Sequence, residues 1–260
     1  MQPDVEDDYI DWKGWHSAAF GKYSVEESIQ FAAEIRRVGM ALDRESQVLE
    51  IGFGNGSFAG WIKQFTDHYV GIESNSALVS RAEKAGIEAY MSMAELDAVA
   101  GGKTFDLIAA FDVVEHMTLS DIVSALQAWK KHLSGKGRIL IRVPSGDSPF
   151  SGRVMYGDIT HKTLLATSAL RQIASLAELK LVATYPPALP VFGLGPHKAV
   201  ERAIVAIARK AITFLVNATF HGNRHGVVTT NLVAIFRAKD ACDQGIPPDP
   251  FTRLRNTDAI

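Results

Sequence analysis

Short runs of apolar residues alternate along the chain with stretches in which apolar side chains recur every three or four positions. The short runs have the length and apolar content of strands that are covered on both faces of a sheet. They cover residues 48–51, 69–73, 87–90, 105–111, 137–144, 179–185 and 227–237. The last run follows the sixth after a long break, and we expect it to pair antiparallel beside that strand.

The stretches with a helical period separate these runs. They cover residues 25–38, 76–85, 121–133 and 163–176. Ser24 and Glu27 have the spacing of a capping box at the start of the first helix. Strands that alternate with helices predict an α/β fold, with a mostly parallel seven-stranded sheet, helices on both faces and an antiparallel last strand.

A break in this pattern after the sixth run indicates an insertion. Four prolines lie close together there, at Pro186, Pro187, Pro190 and Pro196. A length of 260 residues suits one domain with such an insertion. We expect an N-terminal arm and helix, a core, a proline-bounded helical insertion, the final strand of the core and a C-terminal tail. Their expected boundaries are 1–45, 46–185, 186–225, 226–238 and 239–260.

The stretch from Val48 to Phe58 reads V-L-E-I-G-F-G-N-G-S-F and carries the strongest sign of a ligand site. A buried strand leads into Gly52, Gly54 and Gly56, and residues 57–62 read as the start of a helix. Glycine at three alternate positions is unfavourable in a regular element and suits a sharp turn that a ligand approaches closely. Such a loop directs backbone N–H groups and the positive end of a helix dipole toward the ligand.

Acidic residues beside this loop indicate which kind of cofactor it binds. The spacing is G-x-G-x-G rather than the dinucleotide pattern G-x-G-x-x-G, and Ser57 stands where the third dinucleotide glycine belongs. Glu50 precedes Gly52 by two positions, where a carboxylate suits a cationic ammonium better than a diphosphate. Glu73 ends the second strand about twenty residues later and can accept hydrogen bonds from two ribose hydroxyls. The alternative for Glu73 is a helix-capping acid before Ser74.

Two later segments carry candidate catalytic residues. The fourth strand is followed by D-V-V-E-H-M, which contains Asp112, Glu115 and His116. The loop after the fifth strand contains D-I-T-H, from Asp158 to His161. An imidazole with a pKa near 6.5 suits the removal of a hydroxyl proton at neutral pH. The alternative for both histidines is a structural role.

The pattern E-x-G-x-G-x-G resembles motif I of the class I S-adenosylmethionine (SAM) methyltransferases. The segment D-V-V-E-H-M resembles the motif after the fourth strand in ubiquinone-biosynthesis-like methyltransferases and their type 11 and type 23 relatives. The resemblance implies a Rossmann-like fold, SAM as the cofactor and S-adenosylhomocysteine as the product. Asn55 is a departure, since many relatives have Thr, Ser or Gly there. The cofactor-binding residues that it implies are Glu50, Gly52, Gly54, Asn55, Gly56, Glu73, Ser74, Met93, Ala94 and Asp112.

For catalysis, the same resemblance favours His161 or His116 as the base, with Asp158 beside them. Nothing in the sequence requires a metal. His221 and His225 lie four apart, but no Glu or Cys completes a metal site, so we interpret them as part of a turn.

The acceptor is indicated more weakly than the cofactor. The insertion and the last strand resemble those of methyltransferases of bacterial surface-polysaccharide assembly, which implies O-methylation of a sugar hydroxyl on a surface glycan or its lipid-linked precursor. A quinone or another lipophilic phenol is an alternative small-molecule acceptor. A non-catalytic SAM-binding subunit is a second alternative, and an NAD-linked oxidoreductase is a distant one. The fourth strand lacks an N-P-P-Y tetrapeptide, which argues against methylation of amide nitrogens in nucleic acids or proteins.

Charge and cysteine content set the expected surroundings. A formal net charge of -2 argues against a nucleic-acid partner. The single cysteine, Cys242, suits a reducing cytosol, and the acidic start of the chain lacks the features of a secretory signal. We therefore expect a cytoplasmic protein.

Residues 198–220 read as a basic amphipathic helix that can lie on the inner face of a membrane. The alternatives are a homodimer contact or a lid over the substrate pocket. Its apolar face is expected to contain Val200, Ile204, Ile207, Ala211 and Leu215, opposite Arg202, Arg209, Lys210, Thr213 and Asn217.

Aromatic residues crowd the N-terminal arm, at Trp12, Trp15, Phe20 and Tyr23. They predict either an arm packed on the domain or a flap that closes over the site and excludes water.

Overall fold

A computed structural model describes residues 10, 12–15, 20–190, 193–222 and 226–240. Its centre is a seven-stranded sheet in the order β3-β2-β1-β4-β5-β7-β6. All strands run parallel except β7, which is antiparallel to both neighbours. The strands are β1 (Gln47–Ile51), β2 (His68–Ile72), β3 (Glu88–Tyr90), β4 (Phe105–Phe111), β5 (Leu133–Pro144), β6 (Leu179–Tyr185) and β7 (Asn231–Ala238).

Helices cover both faces of this sheet, which confirms the predicted α/β, Rossmann-like fold. One hydrophobic core joins one face to α4, α5 and α7, and a second core joins the other face to α1, α2 and α3. The helices are α1 (Val25–Val38), α2 (Ser57–Ile62), α3 (Ser76–Lys84), α4 (Met93–Ala100), α5 (Leu119–Lys131), α6 (Gly152–Met155), α7 (Thr167–Leu176) and α8 (Pro196–Phe220).

Local sequence explains where several helices begin. Ser24 and Glu27 form the predicted capping box at α1, and Thr118 and Asp121 form a second one at α5. Asn75 caps α3 by accepting from the N–H groups of Ala77 and Leu78. The N-cap of α3 is therefore Asn75, and the alternative in which Glu73 caps this helix is wrong.

Three predicted starts were wrong by four residues, one of them that of the last strand, which begins at Asn231 rather than Val227. The fifth strand begins at Leu133 rather than Gly137, because Leu133 pairs with Phe105 across an irregular β4–β5 ladder. The helix predicted from Thr163 begins at Thr167, because the chain before it stays extended, with Leu165 bridging to Ser145.

β7 lies between β5 and β6, where Asn231 pairs with Pro144 and Val233 with Tyr185. The prediction that it pairs antiparallel beside β6 is confirmed, and β5 is a second partner. Of the expected tail at 239–260, residues 241–260 lie outside the described part of the chain, as do Cys242 and His225.

Candidate active site

The glycine loop lies at the carboxyl ends of β1 and β4, where the order of the sheet reverses, the usual ligand site of such sheets. Gly52, Gly54 and Gly56 all adopt left-handed backbone conformations, with φ of 69°, 53° and 75°. A Cβ at Gly52 would lie 2.4 Å from Val113, and one at Gly56 would lie 2.3 Å from Phe20. The loop therefore needs glycine for its conformation and for its close neighbours.

Glu73 faces this loop from the end of β2. Its Oε2 accepts from the N–H of Gly54 at 3.0 Å, and its Oε1 accepts from the N–H of Asn75 at 3.1 Å. The carboxylate is half-buried and Ser74 beside it is exposed. This position leaves the predicted ribose contact open to Glu73, since a carboxylate oxygen can accept more than one hydrogen bond.

Glu50 lies under the loop rather than on its surface. Its carboxylate is buried and accepts a hydrogen bond of 2.6 Å from the hydroxyl of Tyr69. Burial raises the pKa of Glu50 to about 8, and the nearby charge of Glu73 raises it further. Glu50 is therefore protonated at neutral pH. Its predicted contact with an ammonium group requires the ionised carboxylate, and a cation bound beside it would favour that form. The contact stays a prediction.

Asn55 supplies an unsatisfied group in the loop. Its side-chain Oδ1 is buried and has no hydrogen-bond partner among the described residues, while its backbone oxygen accepts from Gly21. A buried polar atom of this kind favours a ligand that donates to it. Together with the cradle formed by the three glycines, this orphaned oxygen fits the predicted cofactor.

Met93 and Ala94 form the first turn of α4, beyond β3. Met93 is half-buried against the core and Ala94 is exposed, at the carboxyl end of the sheet. Ser92 caps this helix by accepting from the N–H of Glu95. Both residues thus lie in a helix, and their contact with the cofactor stays a prediction.

Asp112, directly after β4, is held in an unusual conformation. Its φ of 57° is rare for a residue other than glycine. Both carboxylate oxygens accept from the guanidinium of Arg142 in β5, with Nε to Oδ1 at 3.0 Å. Burial disfavours the charged form of Arg142, but Asp112 outweighs it and raises the pKa of Arg142. Sequence reasoning missed Arg142, although a charged residue inside an apolar strand was a usable signal.

The N-terminal arm covers the glycine loop. The ring of Trp15 would lie 2.7 Å from a Cβ on Gly54, and its backbone oxygen accepts from Arg81 at 2.8 Å. Lys13 in the same arm lies 3.7 Å from Asp158. The described part of the arm thus reaches from the loop to the candidate catalytic residues, which favours its interpretation as a cover of the site.

Backbone hydrogen bonds bring the two histidine segments together. The oxygen of Glu115, in a 3₁₀ turn after β4 (Val114–His116), accepts from the N–H groups of Lys162 and Thr163 at 2.7 Å and 3.0 Å. The rings of His116 and His161 consequently lie 4.7 Å apart. The structure therefore places all three predicted catalytic residues, His161, His116 and Asp158, in one cluster.

Hydrogen bonds set the tautomer of His116. The hydroxyl of Thr160 donates to Oδ1 of Asp158 at 2.5 Å, so its oxygen accepts from Nδ1 of His116 at 2.9 Å. Nε2 of His116 therefore carries the lone pair. Burial lowers the pKa of His116, and the charge of His161 lowers it further, so His116 is neutral at pH 7.

His161 has a different environment. Its Nδ1 donates to the backbone oxygen of Met155 at 3.1 Å, and Nε2 lies 3.8 Å from Asp158 and 4.0 Å from Glu115. Burial raises the pKa of Glu115 to about 8, aided by the charge of Asp112. Burial also acts to raise the pKa of Asp158, but hydrogen bonds from Thr160 reverse this and lower it. His161 thus lies beside one ionised carboxylate and one protonated carboxyl group.

Glu115, His116 and His161 are also the one group within the described ranges that could hold a metal ion, with ligand atoms within 4.8 Å of one another. Burial raises the pKa of Glu115 to about 8, so an ion bound there would have to displace the proton of this carboxyl group. The ammonium group of Lys13 already supplies positive charge beside Asp158. The cluster suits proton transfer better than metal binding.

Comparison with known proteins gives the family of the chain. The sequence profile of a family described as a methyltransferase domain matches residues 19–184, more than half of the chain. Among curated proteins, none is significantly similar in sequence.

Solved structures share the fold at low sequence identity. A SAM-dependent methyltransferase from Archaeoglobus fulgidus is 18% identical with a TM-score of 0.55, covering 80% of this chain and 93% of its own. One from Clostridium acetobutylicum is 9% identical with a TM-score of 0.54, covering 90% and 97%. A TehB-like SAM-dependent methyltransferase from Corynebacterium glutamicum is 17% identical with a TM-score of 0.52, covering 92% and 100%.

The glycine cradle, the fold and the family profile agree on the cofactor and on the class of reaction. The chain belongs to the methyltransferase domain family, and it is a class I SAM-dependent methyltransferase.

Proposed function

We propose that the protein O-methylates a sugar hydroxyl on a surface glycan or on its lipid-linked precursor. The observation that carries this proposal is the neutral imidazole of His116, whose Nε2 carries a lone pair and whose turn follows β4, at the edge of the sheet where the glycine loop lies. A hydroxyl must lose its proton when its oxygen receives a methyl group, so a base of this kind suits an oxygen acceptor.

Bound SAM supplies a methyl group on a positively charged sulfur. The glycine loop, which a ligand can approach closely, and the carboxylate of Glu73 would hold its nucleoside end, and Asp112 would line its methionine end. Most of the rate comes from holding the acceptor oxygen in line with the methyl carbon. Trp15, which lies over Gly54, excludes water from this region.

His116 is the base in this proposal, and Thr160 and Asp158 orient it. The chain of hydrogen bonds from Asp158 through Thr160 keeps Nδ1 of His116 protonated and Nε2 free. Nε2 of His161 lies 3.8 Å from Asp158 and 4.0 Å from Glu115, beyond hydrogen-bonding distance of both. The sequence left the choice between the two histidines open, and the hydrogen bonds of Thr160 favour His116 as the base.

Support for a sugar acceptor comes from the side chains around the cluster. Trp12, Phe150 and Tyr156 are exposed aromatic residues in segments that contact the site, and rings of this kind suit the apolar face of a sugar. A nearby cavity of about 210 Å³ is lined by Arg209 and by the hydroxyl-bearing residues Thr213, Thr229 and Thr230. Its cation suits the phosphate of a lipid-linked precursor.

A lipophilic phenol or quinone is the second candidate acceptor. The observation that favours it is the apolar outer face of α8, beside the same cavity. For either acceptor we place the protein in the cytoplasm, at the inner face of the membrane.

The test is transfer of radiolabelled methyl from SAM to three sets of acceptors: saccharides with free hydroxyls, their lipid-linked forms, and phenols or quinols. We expect label on a saccharide and loss of label when its acceptor hydroxyl is replaced by hydrogen. Label on phenols alone establishes the second candidate. Label that appears only on amines overturns both.

A further inference from the structure

The outer face of α8 is apolar and uncovered by any residue that the structure describes. Its 25 residues contain one buried side chain, that of Val216. Large apolar side chains on the opposite side stand 60–71% exposed. They are Val200, Ile204, Ile207, Phe214 and Leu215. Exposed apolar surface of this extent on one helix marks a docking surface.

Several polar residues of α8 face the body of the protein instead. Arg202 forms an ion pair with Glu26 of α1, and Asn217 accepts from the N–H of Gly226 at 3.0 Å. Arg209 and Thr213 line the cavity under the helix. The sequence predicted both faces of this helix, but the structure shows that the apolar one is turned outward.

The contacts of Arg202 and Asn217 with the body of the protein limit the orientations in which α8 can bind a membrane. By length and composition it is the one helix in the described ranges that could cross a bilayer. Crossing would place Arg202, Arg209 and Lys210 in hydrocarbon and would break the ion pair with Glu26, which is unfavourable. An orientation parallel to the surface buries the apolar face alone and keeps these contacts.

Charge indicates what kind of surface the helix meets. Four basic residues, Lys198, Arg202, Arg209 and Lys210, stand against one acidic residue, Glu201. Lys198 and Lys210 are the exposed members of this set. A second copy of the chain would bring the same excess of basic residues on its α8, with Glu201 as the one acidic residue of that helix. An anionic lipid surface complements it, because each basic residue near such a surface is attracted to it.

The inner side of α8, opposite the docking face, lies beside a loop of the active-site region. Phe150, which is 52% exposed, lines the cavity together with Arg209 and Ile212 of α8. Phe150 belongs to the loop that continues to Asp158 and His161. A membrane against the outer face of α8 is therefore separated by this one helix from the loop that carries the candidate catalytic cluster.

We propose that α8 docks the protein in plane on an anionic phospholipid bilayer, through its face from Val200 to Leu215. This docking goes beyond the proposed methylation and does not depend on which acceptor hydroxyl is used. It keeps the enzyme at the surface where lipid-linked or lipophilic acceptors reside.

The test is flotation of the full-length protein with vesicles of phosphatidylcholine alone or of phosphatidylcholine with phosphatidylglycerol. We expect the protein to float with the anionic vesicles, and added salt to reduce its recovery. The variant Ile207→Glu/Phe214→Glu should lower recovery by at least about tenfold, because it places two charges in the buried face.

A matched control, Val99→Glu/Leu176→Glu, changes two apolar residues that are 68% and 61% exposed on other helices. It should float like the wild type. Isothermal titration with SAM shows that every variant is folded, since none of these residues is in the predicted site. Absence of wild-type flotation overturns the proposal. So does a wild-type dimer that the α8 variant converts to a monomer without any change in flotation.

Discussion

The guanidinium of Arg142 donates to both carboxylate oxygens of Asp112, joining the carboxyl ends of β5 and β4 at the edge where the cofactor site lies. Arg142 also interacts with two buried acids, since the charges of Glu34 and Glu115 help Asp112 to raise its pKa. The side chain of Arg142 thus orients Asp112, which is predicted to bind the cofactor, and its positive charge partly balances the negative charge of the nearby acids.

Replacing Arg142 should weaken cofactor binding. We expect Arg142→Met to raise the Kd for SAM by about tenfold or more, because Asp112 loses a two-point, charge-assisted partner that orients it. Isothermal titration measures this directly. The control is Arg171→Met, an exposed arginine on α7. Equal affinities for all three proteins would mean that Asp112 does not contact the cofactor.

Replacing His116 should reduce turnover without changing cofactor affinity. We expect His116→Gln to lower kcat by roughly 10²–10⁴-fold with the Kd for SAM unchanged, the usual contribution of a general base. His161→Gln should have a smaller effect, because Thr160 and not His161 makes the hydrogen bond that orients the ring of His116. Full activity of His116→Gln would exclude it as the base.

The pH profile gives an independent test of the same residue. His116 must be neutral to accept a proton, and its pKa is lowered below 6.5 by burial and by His161. Asp158 acts in the opposite direction, and Lys13 in the same one. We therefore expect kcat to be constant at neutral pH and to fall at acidic pH, below 6.5. Thr160→Val, which removes the hydroxyl that orients Nδ1, should lower the plateau.

Glu50 should make stability depend on pH. Its pKa is raised from 4.5 to about 8 in the folded protein, so the folded state holds a proton that the unfolded state releases. The free energy of unfolding should therefore fall as pH rises from about 4.5 to about 8 and be constant beyond that range. Glu50→Gln, which keeps an oxygen for Tyr69, should be more stable than the wild type at pH 8, by a few kcal/mol at most, that is, on the order of the shift itself. Denaturant unfolding at pH 5 and pH 8 measures this. A variant less stable than the wild type at both values contradicts it.

Gly56 and Gly86 allow the effect of backbone strain on stability to be distinguished from an effect on ligand binding. Gly56 and Gly86 have similar φ angles, 75° and 71°, but a Cβ at Gly56 meets Phe20 whereas one at Gly86 meets nothing within 4 Å. Both alanine variants should lose about 1 kcal/mol of stability from the left-handed conformation. Gly56→Ala alone should abolish detectable SAM binding. Loss of binding in both variants would point to a global effect.

Metal removal should leave activity intact. Lys13 already lies beside Asp158, and Glu115 holds a proton at neutral pH that a bound ion would have to displace. We expect equal methyl-transfer rates before and after treatment with a chelator. A rate that falls with chelation and returns with one divalent cation would show that the cluster is a metal site.

Periodicity and glycine spacing were sufficient to predict the sheet, the loop and the strand boundaries of β4 and β6. They act over a few residues, so they are visible in the sequence. The pairing of Asp112 with Arg142 was not predicted, because it depends on which strands become neighbours. The tautomer of His116 depends on Thr160, 44 residues away, and was not predicted for the same reason.

The helix α8 shows a different limit. Its sequence predicts two faces, but amphipathicity alone does not determine which face turns toward the protein. The ion pair of Arg202 with Glu26, 176 residues apart, decides that orientation.

The antiparallel β7 has a consequence for how this enzyme can change. β6 ends and β7 begins at the same edge of the sheet. The segment between them, residues 186–230, therefore starts and ends beside the proposed acceptor region. The glycine loop, by contrast, lies on the other half of the strand order, around β1. Replacing residues 186–230 with the corresponding segment of a relative would therefore change the acceptor that the enzyme binds and leave the nucleoside-binding half of the sheet unchanged.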